Sequence, residues 1–122
     1  MISRPMNVVA ASALSVIAGI VAIASFIYIF DADSSDVVIR LVLGLLITVL
    51  FFATAGFLYK NGKGNYASLL FIEIVNAVVI IVAIVLKDVN IWFGLAMVIL
   101  AILVLILSIG KNVENWIAAD RI

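Results

Sequence analysis

Four long runs of apolar residues constrain what this chain of 122 residues can fold into. A hydrocarbon layer about 30 Å thick needs roughly 20 helical residues to cross it, and each run is long enough to cross once. Because the runs are continuous, they predict helices rather than the alternating strands of a membrane barrel. The four predicted spans are residues 7–30, 37–59, 66–86 and 89–110.

The composition excludes several classes of protein. Apolar residues make up 68% of the chain, whereas about 45–50% is typical of soluble domains. Seven basic and seven acidic residues are too few to cover a water-soluble surface or to bind nucleic acid through a basic face. The chain has no cysteine and no histidine, so it lacks disulfides, thiolate nucleophiles and imidazole ligands. We therefore expect an integral membrane protein with no metal site, no cofactor and no nucleic-acid partner.

The connections between the four runs are short, at residues 31–36, 60–65 and 87–88. Short links place consecutive helices antiparallel and side by side. The sequence therefore predicts one all-α domain over residues 1–122, an up-and-down bundle of four transmembrane helices. Asp88 is expected to cap the fourth helix by accepting exposed backbone N–H groups. Since neither a Ser-His-Asp set nor a Gly-rich phosphate loop is present in the sequence, we expect no enzyme activity.

Basic residues near the ends of the spans predict the orientation of the chain. Cytoplasmic loops carry an excess of Lys and Arg. One side of the predicted bundle has Arg4, Lys60, Lys63, Lys111 and Arg121, and the other has Arg40 and Lys87. We therefore expect both termini to lie in the cytoplasm, with the protein in the cell membrane.

Aromatic residues near the ends of the spans are predicted to anchor the helices, because amphipathic rings favour the headgroup level of a bilayer. These anchors are Tyr28 and Trp92 on the outer side, and Tyr59, Tyr66 and Trp116 on the inner side.

The segment that follows the fourth span, residues 111–122, places Val113, Trp116 and Ile117 on one helical side. Two interpretations are open at this point. The segment is either a short amphipathic helix along the inner membrane surface or a continuation of the fourth helix that frays in water.

Small residues form a stripe along the first predicted helix. Membrane helices have little hydrophobic drive to associate, so small residues that let backbones approach closely favour packing. The stripe either packs the four helices of one chain or forms the contact of a homo-oligomer. It consists of Ala11, Ser15, Ala18, Gly19 and Ala22.

Glu73 is the one ionisable residue well inside a predicted span. A charged side chain near the bilayer centre costs on the order of 3 kcal/mol, so its presence needs an explanation. Glu73 either binds and releases a proton or cation inside the bundle, or is permanently protonated and hydrogen-bonds a neighbouring helix. With about 1.5 Å of rise per residue, Ser15, Thr48, Thr54 and Asn76 lie between the inner end and mid-depth, as Glu73 does. These five residues form a predicted polar seam.

The segment 69–78, which contains Glu73 and Asn76, resembles the membrane-carboxylate helix of the small three-helix subunit of respiratory complex I and of multisubunit cation antiporters. The spacing departs from that pattern, and no later helix supplies a second carboxylate. The resemblance therefore assigns no family.

Two functions are consistent with the sequence. The first is a non-enzymatic role through helix–helix association, as an accessory or structural subunit of a membrane complex or as a homo-oligomer. The alternative is a small proton- or cation-coupled transporter or channel that uses Glu73 as its intramembrane carboxylate. Minimal loops, the small-residue stripe and scarce polarity favour the first. The expected partners are the lipid bilayer and another membrane protein or a second copy of the chain.

Overall fold

The computed structural model describes residues 6–29, 35, 37–59, 66–87 and 89–118. This part of the chain is helical, as predicted, and its first four helices are long and apolar enough to cross a membrane. Their bounds agree with the predicted spans to within two residues. The helices are α1 (Met6–Ile29), α2 (Val37–Tyr59), α3 (Tyr66–Val85), α4 (Ile91–Ser108) and α5 (Lys111–Ala118).

The four long helices pack as an antiparallel bundle. The α1 helix packs against α2 and α4, and α3 packs against the same two helices, so α1 and α3 occupy opposite corners. The hydroxyl of Ser12 donates to the Ala55 carbonyl at 3.1 Å, which pairs the start of α1 with the end of α2. The α5 helix lies at the bundle end where α1 and α3 begin and α2 and α4 finish. We call this the α5 end.

The α4 helix is shorter at both ends than the sequence predicts. It begins at Ile91 because the side chain of Asn90 caps it, accepting from the Trp92 backbone N–H at 2.9 Å. The predicted cap, Asp88, lies outside the described residues. The helix ends at Ser108, since Ile109 is extended and Gly110 has φ 152°, a conformation that side chains disfavour.

Apolar residues form the core and also cover much of the outside. One buried cluster fills the α5 end, and a second continues toward the other end. The outward faces of the long helices expose Ile, Val, Leu and Phe side chains, including Ile20, Phe71 and Ile106. A water-soluble bundle would place polar residues on these faces, so the surface suits an apolar surrounding. The first cluster contains Val8, Ala11, Leu58, Leu69, Val104, Val113 and Trp116.

The predicted small-residue stripe of α1 lies inside the bundle. All five of its residues are buried. A Cβ atom added to Gly19 would come within 2.8 Å of the Phe52 ring, so the glycine leaves room for this side chain of α2. The stripe is therefore occupied by contacts within one chain.

The segment after α4 forms a helix that folds back onto the bundle. In α5, Val113 and Trp116 belong to the buried cluster at the α5 end. The indole Nε1–H of Trp116 donates to the Leu58 carbonyl at 2.8 Å. Because the last carbonyls of a helix lack partners within it, this bond satisfies one of them in α2. The apolar side of α5 thus packs on protein rather than along a membrane surface, and the side chain of Ile117 is outside the described set.

Candidate functional site

A small cavity lies between α2, α3 and α4. Its volume of about 10 Å³ is close to the space that one water molecule needs. Three of its lining residues are polar, and their side chains are almost fully buried, with exposed fractions of 2% for Thr54, 5% for Glu73 and 2% for Asn76. The other lining residues are Phe51, Ala101 and Val104. The cavity is therefore lined by three polar and three apolar residues, all of them buried.

Two oxygen atoms at this cavity lack hydrogen-bond partners among the described residues. They are Glu73 Oε1 and Asn76 Oδ1, and an amide oxygen is an acceptor only. The Thr54 hydroxyl gives neither of them its proton, because it donates to the Leu50 carbonyl of its own helix at 2.8 Å. A buried polar group without a partner costs about 1–3 kcal/mol. A water molecule, a proton or a small cation at the cavity would relieve this cost.

The second carboxyl oxygen of Glu73 contacts α4. Ser108 Oγ lies 2.7 Å from Glu73 Oε2 and 2.7 Å from the Val104 carbonyl oxygen, one turn earlier in α4. Bonds between side chains of different helices tie the two backbones together. Glu73 therefore joins α3 directly to the last residue of α4.

Tyr66 extends this connection to the start of α5. Its hydroxyl donates to the Ser108 backbone carbonyl at 2.7 Å and accepts from the Gly110 backbone N–H at 3.2 Å. The carbonyl of Ser108 belongs to the end of α4, where helical partners are missing. Tyr66 thus holds the break between α4 and α5, and Ser108 links this break to Glu73.

The helical period places Glu73 and Asn76 in the interior. Positions three and four residues apart lie on one face of a helix, and the buried face of α3 consists of Leu69, Glu73, Asn76, Ile80 and Ala83. Residues between these positions, such as Phe71 and Val78, are exposed. Since apolar residues surround the two polar ones on the same face, the packing of α3 brings both into the core.

The structure brings together three of the five residues of the predicted polar seam. Thr54, Glu73 and Asn76 line the cavity. Ser15 is fully buried on α1, and its hydroxyl has no partner in the described part of the chain, but it is not a lining residue. The Thr48 hydroxyl donates to the Gly44 carbonyl within α2 at 2.8 Å. The seam is therefore interrupted at Ser15 and Thr48. The prediction used only depth along the bundle, which does not specify the side of the helix on which a residue lies.

Ser108 was not among the site residues predicted from the sequence. The sequence does contain a signal for it, because Ser108 is the one residue of α4 (Ile91–Ser108) that carries a hydroxyl group. Tyr66 was predicted as an interfacial anchor on the same face of α3 as Glu73, seven residues before it; its hydrogen bonds to the end of α4 were not predicted.

The predicted interfacial aromatic residues have two kinds of environment. Tyr28, Tyr59 and Trp92 are exposed at helix ends, where headgroups would lie, while Tyr66 is half-buried and hydrogen-bonded. Trp116 differs from the other predicted anchors, since only 4% of its surface is exposed. It is a core residue because α5 folds onto the bundle, which the local sequence pattern does not reveal.

Comparisons of the chain with protein-family models, with curated proteins and with solved structures show no match. The chemistry available at the site must therefore indicate the function. The cavity lining contains one carboxyl group, one amide and one hydroxyl, a set that binds protons, water or small cations through oxygen atoms.

Proposed function

We propose that the protein is a small, non-enzymatic transporter or channel coupled to protons or small cations, with Glu73 as the coupling carboxyl group. One observation carries the proposal. Two oxygen acceptors, Glu73 Oε1 and Asn76 Oδ1, lack partners among the described residues and belong to residues that line one buried cavity. Ionisable groups inside a membrane typically mark ion or proton pathways.

The proposal includes insertion in the cell membrane with both termini in the cytoplasm. Support for insertion comes from the four long apolar helices and from their apolar outer faces. Support for the orientation comes from the uneven distribution of Lys and Arg along the sequence. In this orientation the α5 end faces the cytoplasm.

Structural glue is the competing explanation for Glu73. A carboxyl group that only ties two helices together needs no open space beside it, and buried acceptors are normally paired with protein or with water. Glu73 has a partner for Oε2, in Ser108, but none is described for Oε1. This half-satisfied state supports a binding role.

A flux assay tests the proposal. Purified protein is reconstituted in liposomes containing a pH-sensitive dye, and an imposed membrane potential drives proton entry, with parallel vesicles under Na⁺ and K⁺ gradients. We expect flux from the native chain and none from Glu73→Gln, which keeps size and shape but cannot ionise. The matched control is Ser25→Ala, a buried hydroxyl of α1 outside the cavity lining, which should retain the flux. Flux from Glu73→Gln equal to the native level, or native vesicles no leakier than empty ones, would refute the proposal.

A second function, association with another membrane protein as an accessory or structural subunit or with a second copy, has its own support. Ala53 and Gly56 are exposed on α2, and a Cβ atom added to Gly56 would meet nothing within 4 Å. Small residues on a lipid-facing side let a second helix approach closely. Purification in mild detergent followed by mass spectrometry tests this role. Stoichiometric recovery of a different membrane protein, or of a homo-oligomer, would support it, and a solitary monomer would contradict it.

A further inference from the structure

The hydroxyl of Ser108 lies between two oxygen atoms that compete for its single proton. One is Glu73 Oε2 and the other is the Val104 carbonyl oxygen, each 2.7 Å from Ser108 Oγ. A serine hydroxyl has one proton to donate and lone pairs with which to accept. If Glu73 is ionised, both neighbours are acceptors of this one proton, although the Val104 carbonyl also accepts the helical bond from the Ser108 backbone N–H.

The cavity side of Glu73 shows the same excess of acceptors. Glu73 Oε1 and Asn76 Oδ1 have no donor among the described residues, and the proton of Thr54 is directed to Leu50. Among the described side chains, an ionised Glu73 would therefore receive a single hydrogen bond, from Ser108. A buried charge with so little support from the protein is strongly unfavourable, and none of the described lining residues is basic.

A neutral carboxyl group removes the buried charge and gives the Ser108 hydroxyl an undivided acceptor, while a water molecule can supply the donors on the cavity side. Protonated at Oε2, Glu73 donates to Ser108 Oγ, which then donates its own proton to the Val104 carbonyl. A water molecule in the cavity has two protons, one for Glu73 Oε1 and one for Asn76 Oδ1. Every oxygen in the arrangement then has a partner, which is the usual state of buried polar groups.

We propose that the ligand of this site is the proton, held on Glu73 as a neutral carboxylic acid that donates to Ser108, with a water molecule bridging Glu73 and Asn76. The inference rests on the site of the proposed function and deepens it, because it selects the proton over a divalent metal cation. Hard divalent cations bind six or more oxygen ligands. The described lining offers three polar side chains, those of Thr54, Glu73 and Asn76, which is half of that number.

Ser108 is a positioning residue in this proposal, able to serve both protonation states of Glu73. On release, the O–H bond of Glu73 breaks, its electron pair remains on the carboxylate, and the proton passes to water as hydronium. The Ser108 hydroxyl then turns from Val104 to donate to Glu73 Oε2. Tyr66 keeps Ser108 in place through its hydrogen bond to the Ser108 carbonyl.

Infrared spectroscopy of the reconstituted full chain tests the protonation state. The sequence contains two glutamates, Glu73 in the bundle and Glu114, which is exposed on α5. Glutamate labelled with ¹³C in the side-chain carboxyl therefore marks only these two groups. At neutral pH we expect a labelled C=O band of a neutral carboxyl group that persists in Glu114→Gln and disappears in Glu73→Gln. If the labelled glutamates show ionised-carboxylate bands alone, the proposal is overturned.

Variants of Ser108 test its positioning role. Removal of the hydroxyl in Ser108→Ala should weaken the hydrogen bond of the carboxyl group and move its C=O band to higher frequency, while Ser108→Thr should restore the native position. An unchanged band in Ser108→Ala would overturn this role. The band is independent of flux: a neutral Glu73 in a chain without flux would uphold this inference and refute transport. Sodium flux with an ionised Glu73 would uphold transport and refute this inference.

Discussion

Gly94 provides a quantitative test of the packing between α4 and α3. A Cβ atom at this position would lie 2.7 Å from Ile84 Cγ1 and 2.9 Å from Ile84 Cδ1, whereas carbon atoms in favourable contact are about 3.5–4.0 Å apart. In Gly94→Ala the Ile84 side chain must therefore move by about 1 Å. Overpacking of this kind typically costs about 1–3 kcal/mol.

Gly56 is the matched control, because the same substitution there meets nothing within 4 Å. Both variants gain the helix propensity of alanine, about 1 kcal/mol. We expect Gly56→Ala to be more stable than the native chain by up to that amount, and Gly94→Ala to be less stable by about 0–2 kcal/mol. The difference between the two variants, about 1–3 kcal/mol, then measures the overpacking at Ile84.

Reversible unfolding in mixed micelles with increasing sodium dodecyl sulfate, followed by far-ultraviolet circular dichroism, measures this difference. Equal stability of the two variants would refute the assignment of Gly94 to a tight contact. A loss of stability in Gly56→Ala that depends on protein concentration would indicate that the open face of α2 contacts a second copy.

Three further outcomes follow from the contacts at the helix ends. Trp116→Phe should lower the free energy of unfolding by about 1–2 kcal/mol, because it removes the donor to the Leu58 carbonyl, and unfolding in mixed micelles measures the loss. Tyr66→Phe should also lower the free energy of unfolding by about 1–2 kcal/mol, because the Ser108 carbonyl loses its donor. It should speed hydrogen exchange of the α5 amides, and an unchanged exchange rate would contradict this role. Brominated lipids should quench the fluorescence of the exposed Trp92 but not that of the buried Trp116, and variants with a single tryptophan measure the two separately.

The four long helices could be predicted from the sequence because their signal is local. An uninterrupted run of apolar residues sets the length of a span, so the bounds of α2 agree at both ends with the structure. The early end of α4 was not predicted, because Ile109 is as apolar as the residues before it; Gly110 permits the turn there, and Tyr66, 42 residues away from Ser108, bonds to the last carbonyl. Local hydropathy contains no information about a tertiary hydrogen bond.

The candidate site could be predicted only in part, for a related reason. The unusual position of Glu73 in an apolar run identifies it at once, and the spacing of three residues adds Asn76 on the same face. Which helices face this pair depends on how α2 and α4 are rotated about their axes. Thr54 faces the cavity while Thr48 bonds to its own helix, a distinction that height along the bundle does not reveal.

The contact of α5 with the end of α2 has a consequence for the order in which the chain is completed. Trp116 and Leu58 are separated by 58 residues, and α5 follows all four long helices in the sequence. During synthesis, α2 emerges from the ribosome well before Trp116, the residue that donates to its Leu58 carbonyl. This end of the bundle therefore closes only after the fourth long helix has been made, and a chain shortened before α5 would leave the Leu58 carbonyl without this donor.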